Sequence, residues 1–412
     1  MCAHYVIIGA GQAGRRTAES LRERDSQSRI SLIGEEEHIP YDRPVLSKEG
    51  LIDEDSLQSA FVVDKNFYRD QNIHLLLGSP VVSVAPNEKK ILLGNDDVIQ
   101  YDKLIFATGS RARKLITKGA ENADIHYVRT LNDSKQLSQA ARGKSHVVII
   151  GGGFIGLEVA ATLATHFKMD VTLLESGERI LKRVMPSALS DYMHQLHQEK
   201  GINILLNSSL TQIHTHADNT YTLETNHGAI HTELIVAGIG VHPNQELAAA
   251  AGIHVNNGIV VDEHGRTNIP DIYAAGDVTA HFNPFYQAHI RLESWQVAEN
   301  QPVAIANHIC GLSSEGFNDI PWLWSDQYTH NLQMLGDFCF ASQLVIRQEA
   351  KSEHFALIGL NDQQQIKAVC AVNQGRDISM YRRLMQSNCS VAPALLTDSN
   401  TPLRSLQSLL RN

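Results

Sequence analysis

Gly9, Gly11 and Gly14 stand in the order G-x-G-x-x-G directly after the β-branched run Tyr5-Val6-Ile7-Ile8. The first glycine permits a tight turn, the second lets a pyrophosphate approach the backbone, and the third lets the next helix pack on the strand. The amides and dipole at that helix start then attract the anion. Gly151, Gly153 and Gly156 repeat the arrangement after Val147-Val148-Ile149-Ile150. About 20 residues further on, such a unit carries an acidic residue for a ribose hydroxyl pair. Glu35 or its neighbour Glu36 fills that place in the first copy, and Glu175 in the second. A carboxylate there accepts from a ribose diol and repels a 2′-phosphate, which favours NADH over NADPH. Arg179 lies close enough to soften that preference. A chain with two such cradles is most simply a flavoenzyme, with FAD in one and NAD(H) in the other.

Elements must hold these residues in place. Residues 4–21 and 146–163 share one layout of strand, glycines and helix-period Ala and Leu, and each is followed by a second strand, 29–35 and 170–175. That is a βαβ unit occurring twice. Between them, short strands are expected near 73–77, 81–85 and 90–93, then an apolar strand in 101–110 that ends in a small-residue turn. Further strands fall near 203–206, within 232–244, and in 267–278, where a strand runs into glycine and a carboxylate. From about residue 319 aromatics become dense, and strands precede one or two terminal helices, which suggests a third domain.

The composition is compatible with this layout. At roughly 150 residues per domain, a chain of 412 residues holds two to three domains. Hydrophobic residues are 43% and charged residues 19%, which argues against wholesale disorder. A net charge of -10 makes a poor generic binder of nucleic acid or acidic lipid. The five cysteines, at 2, 310, 339, 370 and 389, form no CxxC or CxxxxC pair. They read as free thiols of a reducing cytoplasm and provide no zinc or iron–sulfur ligand set. The start of the chain has no secretory pattern. The most apolar stretch, 147–164, contains Glu158 and consecutive glycines, so no membrane span is expected there. His194 and His197 share a helix face without a matching carboxylate or cysteine, and read as exposed histidines rather than a metal site. Neither a nucleophile-elbow G-x-S-x-G nor a Walker lysine is present.

Several further blocks resemble the FAD-containing ferredoxin reductases of bacterial oxygenase systems, within the glutathione-reductase-like flavoproteins. HIPYDRPVLSK (38–48) is similar to that family's P-Y-x-R-P-P-L-S-K block, with Val45 where a second proline is usual. IFATGS (105–110), IYAAGDV (272–278), RLESWQVAENQ (291–301), PWLWSDQY (321–328) and NLQMLGD (331–337) match other blocks around the flavin. VNQGRDI (372–378) is close to a block of reductases serving aromatic-ring dioxygenases. The resemblance covers essentially the whole chain. It implies an α/β fold of two Rossmann-like dinucleotide-binding domains, for FAD and NAD, plus a C-terminal α+β domain. The expected boundaries are 1–108 with 241–318 for FAD, 109–240 for NAD, and 319–412 for the C-terminal domain. Carried over position by position, FAD would be held by Gly9, Gly11, Gly14, Glu35, Arg43, Lys48, Val82, Arg129, Asp277 and Trp295. NAD would be held by Gly151, Gly153, Ile155, Gly156, Glu158, Glu175 and Gly240. Trp322 and Trp324 would cover the flavin, face the partner, or serve as core aromatics.

The implied chemistry is hydride transfer from nicotinamide to flavin. Lys48 is the candidate cation for the reduced ring and Glu158 its partner beside the nicotinamide; both are treated as catalytic. Disulfide reductases of this fold carry redox cysteines in the region occupied here by PYDRPVLSK, yet no cysteine falls between Cys2 and Cys310. Electrons would therefore leave the flavin directly, to a [2Fe-2S] ferredoxin of Rieske type and through it to a terminal oxygenase. Arg291, Arg376, Arg382 and Arg383 are candidates for the docking surface. The expectations are a cytoplasmic enzyme with no metal, nucleic-acid or membrane partner. Two other readings stay open: a rubredoxin or haem-monooxygenase ferredoxin reductase, and an NADH-responsive interaction module.

Overall fold

The computed structural model describes residues 2–348 and 353–406. Three five-stranded sheets organise them. In chain order their strands are β1 (His4–Ile8), β2 (Arg29–Ile33), β3 (Ile73–Leu76), β4 (Lys103–Phe106), β5 (Ile125–His126), β6 (His146–Ile150), β7 (Asp170–Leu174), β8 (Asn203–Leu205), β9 (Leu234–Ala237), β10 (Ile272–Ala274), β11 (Trp322–Gln327), β12 (His330–Gly336), β13 (Gln343–Gln348), β14 (Phe355–Leu360) and β15 (Ile366–Val372). The longer helices are α1 (Gln12–Arg24), α2 (Leu131–Ala141), α3 (Phe154–His166), α4 (Ser187–Glu199), α5 (Trp295–Ile309) and α6 (Ile378–Gln386).

The chain divides into two compact units. The first comprises residues 1–42, 59–111 and 242–321. Its sheet has the order β10-β4-β1-β2-β3, all parallel. Parallel strands buried on both faces read as continuous β-branched runs, and Val6, Ile7, Ile30 and Leu32 are fully buried here. Helix α1 returns the chain from β1 to β2 and packs along α5, where Arg15 pairs with Glu299 and Gln12 donates to Glu299 at 3.1 Å.

The second unit comprises residues 43–58, 112–241 and 322–412. It repeats the parallel design with order β8-β7-β6-β9-β5, and adds the antiparallel sheet β11-β12-β15-β14-β13. One continuous core joins the two sheets, running from Val147, Leu157 and Leu173 to Leu332, Leu357 and Cys370. The segment 43–58 is moored to this unit. Ser134 on α2 donates to the carbonyl of Leu46 at 2.9 Å, and Thr162 on α3 to that of Ser47 at 2.9 Å.

His281 gives the first unit a pH-dependent stability. Its ring is buried and neither nitrogen has a partner. Burial pushes its pKa from 6.5 down to about 4, aided by His289. The imidazole is therefore neutral in the fold, while the unfolded chain takes up a proton below 6.5. The stabilisation is complete above that value and is lost as pH falls through the window to about 4. The swing is on the order of 3 kcal/mol. Denaturant titrations of wild type and His281→Leu should diverge across that window, with the variant losing less stability toward acid. Parallel pH dependence in the two proteins would refute the assignment.

Candidate functional site

In the first unit, β1 ends in Gly9 at φ +112, where a Cβ would lie 2.1 Å from the Ala107 carbonyl oxygen. A Cβ on Gly14 would lie 1.8 Å from the carbonyl oxygen of Gly9. Both glycines are therefore required by backbone packing at the turn. Helix α1 is capped by Gly11 without a side-chain acceptor, and its first turn holds no acidic residue. Its leading amides thus lack side-chain partners and form an anion site. Gly276 abuts this turn, since its Cβ would meet Ala13 at 2.7 Å. Asp277 follows directly and accepts from Ser110 at 3.4 Å. The unit therefore gathers Gly9, Gly11, Gly14 and Asp277 around one helix start. Trp295 opens α5 and hydrogen-bonds the Asp42 carboxylate. Glu35 is exposed, whereas Glu36 accepts from Tyr41 at 2.6 Å. Val82 lies on a short strand of a separate small sheet with its side chain 53% exposed, and its packing assigns it no role.

The second unit builds the same cradle. Gly151 sits at φ +107 with a Cβ position 2.5 Å from the Gly238 carbonyl oxygen, and that of Gly156 is 2.1 Å from the Gly151 oxygen. At Gly153 the nearest atom to a Cβ is 4.0 Å away, so that position opens onto free space. Gly153 also caps α3 without a side-chain acceptor or an acid in the first turn. These features fit a pyrophosphate in each cradle. Glu175 directly follows β7 and accepts from the amides of Gly152 at 2.8 Å and Gly177 at 2.6 Å, which aims its carboxylate at the cradle. Arg179 donates to the carbonyl of Met185 and the hydroxyl of Ser190, both at 2.6 Å. Gly240 is at φ +98 beside Arg183, and Ile155 is 44% exposed at the start of α3.

Lys48 and Glu158 meet in this same unit. The Lys48 ammonium lies 3.5 Å from Glu158 Oε1 and 3.8 Å from Asp326. Glu158 faces inward from α3 and is 6% exposed. Ser47 donates to its Oε2 and Ser325 to its Oε1, both at 2.6 Å. Burial pushes the carboxyl pKa up, while Lys48 and the two serines pull it down. A paired, hydrogen-bonded carboxylate satisfies the conditions for keeping charge in a dry site. Arg43 and Arg129 also meet, the guanidinium of Arg43 donating to the Arg129 carbonyl, just before the capping box Thr130–Asp133 of α2.

Sequence reasoning missed Ser47, Ser325 and the residues behind them, although both serines lie inside blocks it had singled out. It also misjudged two residues. His197 is fully buried, with its Nε2 2.7 Å from Gln327 Oε1, because the C-terminal sheet covers that face of α4. Arg291 is mostly buried and paired with Glu293, which leaves it little exposed charge to offer a partner. Trp322 and Trp324 are half-buried and stack on each other with centroids 5.0 Å apart.

Two dinucleotide cradles of one design, with a lysine–glutamate pair and no cysteine in the segment that carries the lysine, define an oxidoreductase that uses FAD and NAD(H). The family model for pyridine nucleotide-disulphide oxidoreductases matches residues 3–301, and one for a reductase C-terminal domain matches 322–407. The chain belongs to the pyridine nucleotide-disulphide oxidoreductase family. It is 43% identical to the anthranilate 1,2-dioxygenase system ferredoxin–NAD(+) reductase component of Burkholderia cepacia, over 97% of this chain and 98% of that protein. It is 34% identical to the 3-phenylpropionate/cinnamic acid dioxygenase reductase component of Photorhabdus laumondii, over 94% and 97%. Among solved structures, the covalent putidaredoxin reductase–putidaredoxin complex superposes with a TM-score of 0.94 at 32% identity, covering 99% of both chains. Among the described residues no helix is long and apolar enough to cross a membrane, and no group of three or more His, Cys, Asp or Glu side chains is placed to hold a metal.

Proposed function

We propose that this chain is a ferredoxin–NAD(+) reductase, carrying electrons from NADH by way of FAD to a [2Fe-2S] ferredoxin of Rieske type that feeds an aromatic-ring-hydroxylating dioxygenase in the cytoplasm. Bound FAD supplies the redox chemistry, because it takes up two electrons and releases them singly. The observation that carries the reading is the Lys48–Glu158 pair, held where disulfide reductases keep cysteines and embedded in a chain similar throughout to dioxygenase reductases. In this reading residues 1–108 with 241–318 hold FAD and 109–240 hold NAD. The α1 start and Asp277 hold the FAD pyrophosphate; Glu35, Arg43, Val82, Arg129 and Trp295 are assigned to FAD by resemblance. The α3 start holds the NAD pyrophosphate, with Ile155 and Gly240 on its flank. Lys48 and Glu158 orient the reacting rings and keep water out.

Glu175 decides the nucleotide. NADH should exceed NADPH by at least about tenfold in kcat/KM, roughly 1.4 kcal/mol in transition-state binding. Glu175→Ala should shrink that ratio in steady-state assays, and equal use of both nucleotides by the wild type would refute the role.

The partner face is assigned to the Trp322–Trp324 stack and its surroundings. Gly375 packs against Gln333, which accepts from Trp322 at 3.4 Å, so the turn bearing exposed Arg376 adjoins the stack. Arg383 is exposed on α6, which follows that turn. An acidic ferredoxin approaching a chain of net charge -10 needs such a local positive patch. The functional test is NADH-driven reduction of cytochrome c through added ferredoxins of the dioxygenase, rubredoxin and haem-monooxygenase classes. Turnover with the dioxygenase-type ferredoxin is expected. Arg376→Ala with Arg383→Ala should raise the apparent KM for ferredoxin about tenfold and flatten its salt dependence, leaving ferricyanide reduction nearly unchanged. If both activities fall together, the arginines support the fold and the docking assignment fails.

A further inference from the structure

Behind Glu158 runs a buried polar chain whose direction can be worked out atom by atom. Ser325 donates its single hydroxyl proton to Glu158 Oε1 at 2.6 Å. The Ser325 oxygen must then accept, and Gln327 Nε2 donates to it at 3.0 Å. That turns the Gln327 carbonyl oxygen toward His197 Nε2, 2.7 Å away, which must therefore carry the ring proton. Nδ1 is left bare and accepts from the Tyr328 hydroxyl at 3.1 Å. Every donor along Tyr328, His197, Gln327 and Ser325 thus points toward the carboxylate.

We propose that these four residues act as a one-way relay of donors that holds Glu158 ionised and positions it beside Lys48, with His197 as the positioning residue at its centre. The proposal rests on the reading of Lys48 and Glu158 as the reaction-site pair. Aligned hydrogen bonds polarise one another, and a fully satisfied buried network rigidifies what it holds. Two independent features support it. Tyr328 sits at φ +56, a backbone conformation a bulky side chain adopts only at a cost, and its ring packs on His197 with centroids 5.1 Å apart. His197 has no exposed surface, and burial pushes its pKa down to about 4, so it stays neutral in the tautomer the chain requires. The charged neighbours are few. His194 faces His197 from α4, Lys200 lies 5.8 Å from the Tyr328 ring, and Lys48 with Asp326 sits at the carboxylate end.

The test uses the full-length, FAD-loaded protein as wild type, His197→Phe, His197→Gln and Tyr328→Phe. The first readout is the pH titration of the Glu158 carboxyl by 13C NMR after labelling glutamate side chains, with Glu158→Gln identifying its signal. His197→Phe should raise the midpoint by about one pH unit, tenfold in the protonation equilibrium. Tyr328→Phe should raise it by less. His197→Gln, whose amide can donate to Gln327 Oε1, should restore most of the shift. The second readout is stopped-flow flavin reduction by NADH, whose acid limb should move with the carboxyl. If His197→Phe does not fold, Tyr328→Phe decides alone, since it removes a single oxygen. A Glu158 midpoint unmoved in the folded variants overturns the proposal. Failure of NADH to reduce wild-type flavin would instead strike the functional reading, and the Glu158 titration would still decide the relay.

Discussion

Gly14→Ala should yield a protein without flavin colour, while Gly156→Ala should yield a yellow protein that NADH no longer bleaches. The two substitutions are chemically identical and differ only in the cradle they enter. At Gly14 the new methyl would fall 1.8 Å from the Gly9 carbonyl oxygen, and at Gly156 it would fall 2.1 Å from that of Gly151. Neither neighbour is a flexible side-chain tip, so helix and strand must part and the anion site opens with them. Gly153→Ala separates cradle from scaffold, because its methyl enters open space with the nearest atom 4.0 Å off. That variant should fold normally, keep FAD, and bind NADH at least about tenfold more weakly, a loss of roughly 1.4 kcal/mol. The checks are the visible flavin spectrum after purification, circular dichroism, and NADH titration of flavin reduction. Loss of flavin from Gly156→Ala together with its retention in Gly14→Ala would reverse the cofactor assignment.

The cradles were readable because their pattern is local, even though Gly9 and Gly151 also pack against the distant Ala107 and Gly238. Strand, turn and helix start lie within a dozen or so residues, and Gly14 and Gly156 report contacts to backbone only five positions away. The short strands 73–76, 81–85 and 90–93 were readable for the same reason. The meeting of Lys48 and Glu158 was not readable from spacing, since they lie far apart in sequence and no local pattern joins them. Only likeness to a family suggested it. His197 went wrong in an instructive way. Its spacing from His194 suggested an exposed helix face, but a helix face is exposed only if nothing later in the chain covers it. Here the end of β11 and the turn after it bring Gln327 and Tyr328 onto α4, and a histidine that looked solvated is buried behind the site. Arg291 failed similarly: charge was readable, while its burial against Glu293 depended on the fold around it.

Lys48→Met should slow flavin reduction by NADH about a hundredfold at neutral pH, close to 2.7 kcal/mol of transition-state stabilisation. Glu158 is buried, burial pushes its carboxyl pKa up, and one cation and two serine hydroxyls oppose that rise. Removing the cation leaves the desolvation cost in place and takes away the largest influence holding the carboxyl pKa down. Breaking one partner of a buried pair costs about 3–5 kcal/mol when the other charge is stranded. Glu158 limits that loss by taking up a proton, which changes the group facing the reacting rings. Stability and rate should therefore separate in the double variant. Lys48→Met with Glu158→Gln has no stranded charge and should regain most of the stability lost by the single variant, a coupling measurable by denaturant titration. Its rate should stay low, because neither charge is restored. A single variant that reacts as fast as wild type would reduce Lys48 to a structural cation. Recovery of both stability and rate in the double variant would show that the pair maintains the fold and that hydride transfer takes its electrostatic support from elsewhere.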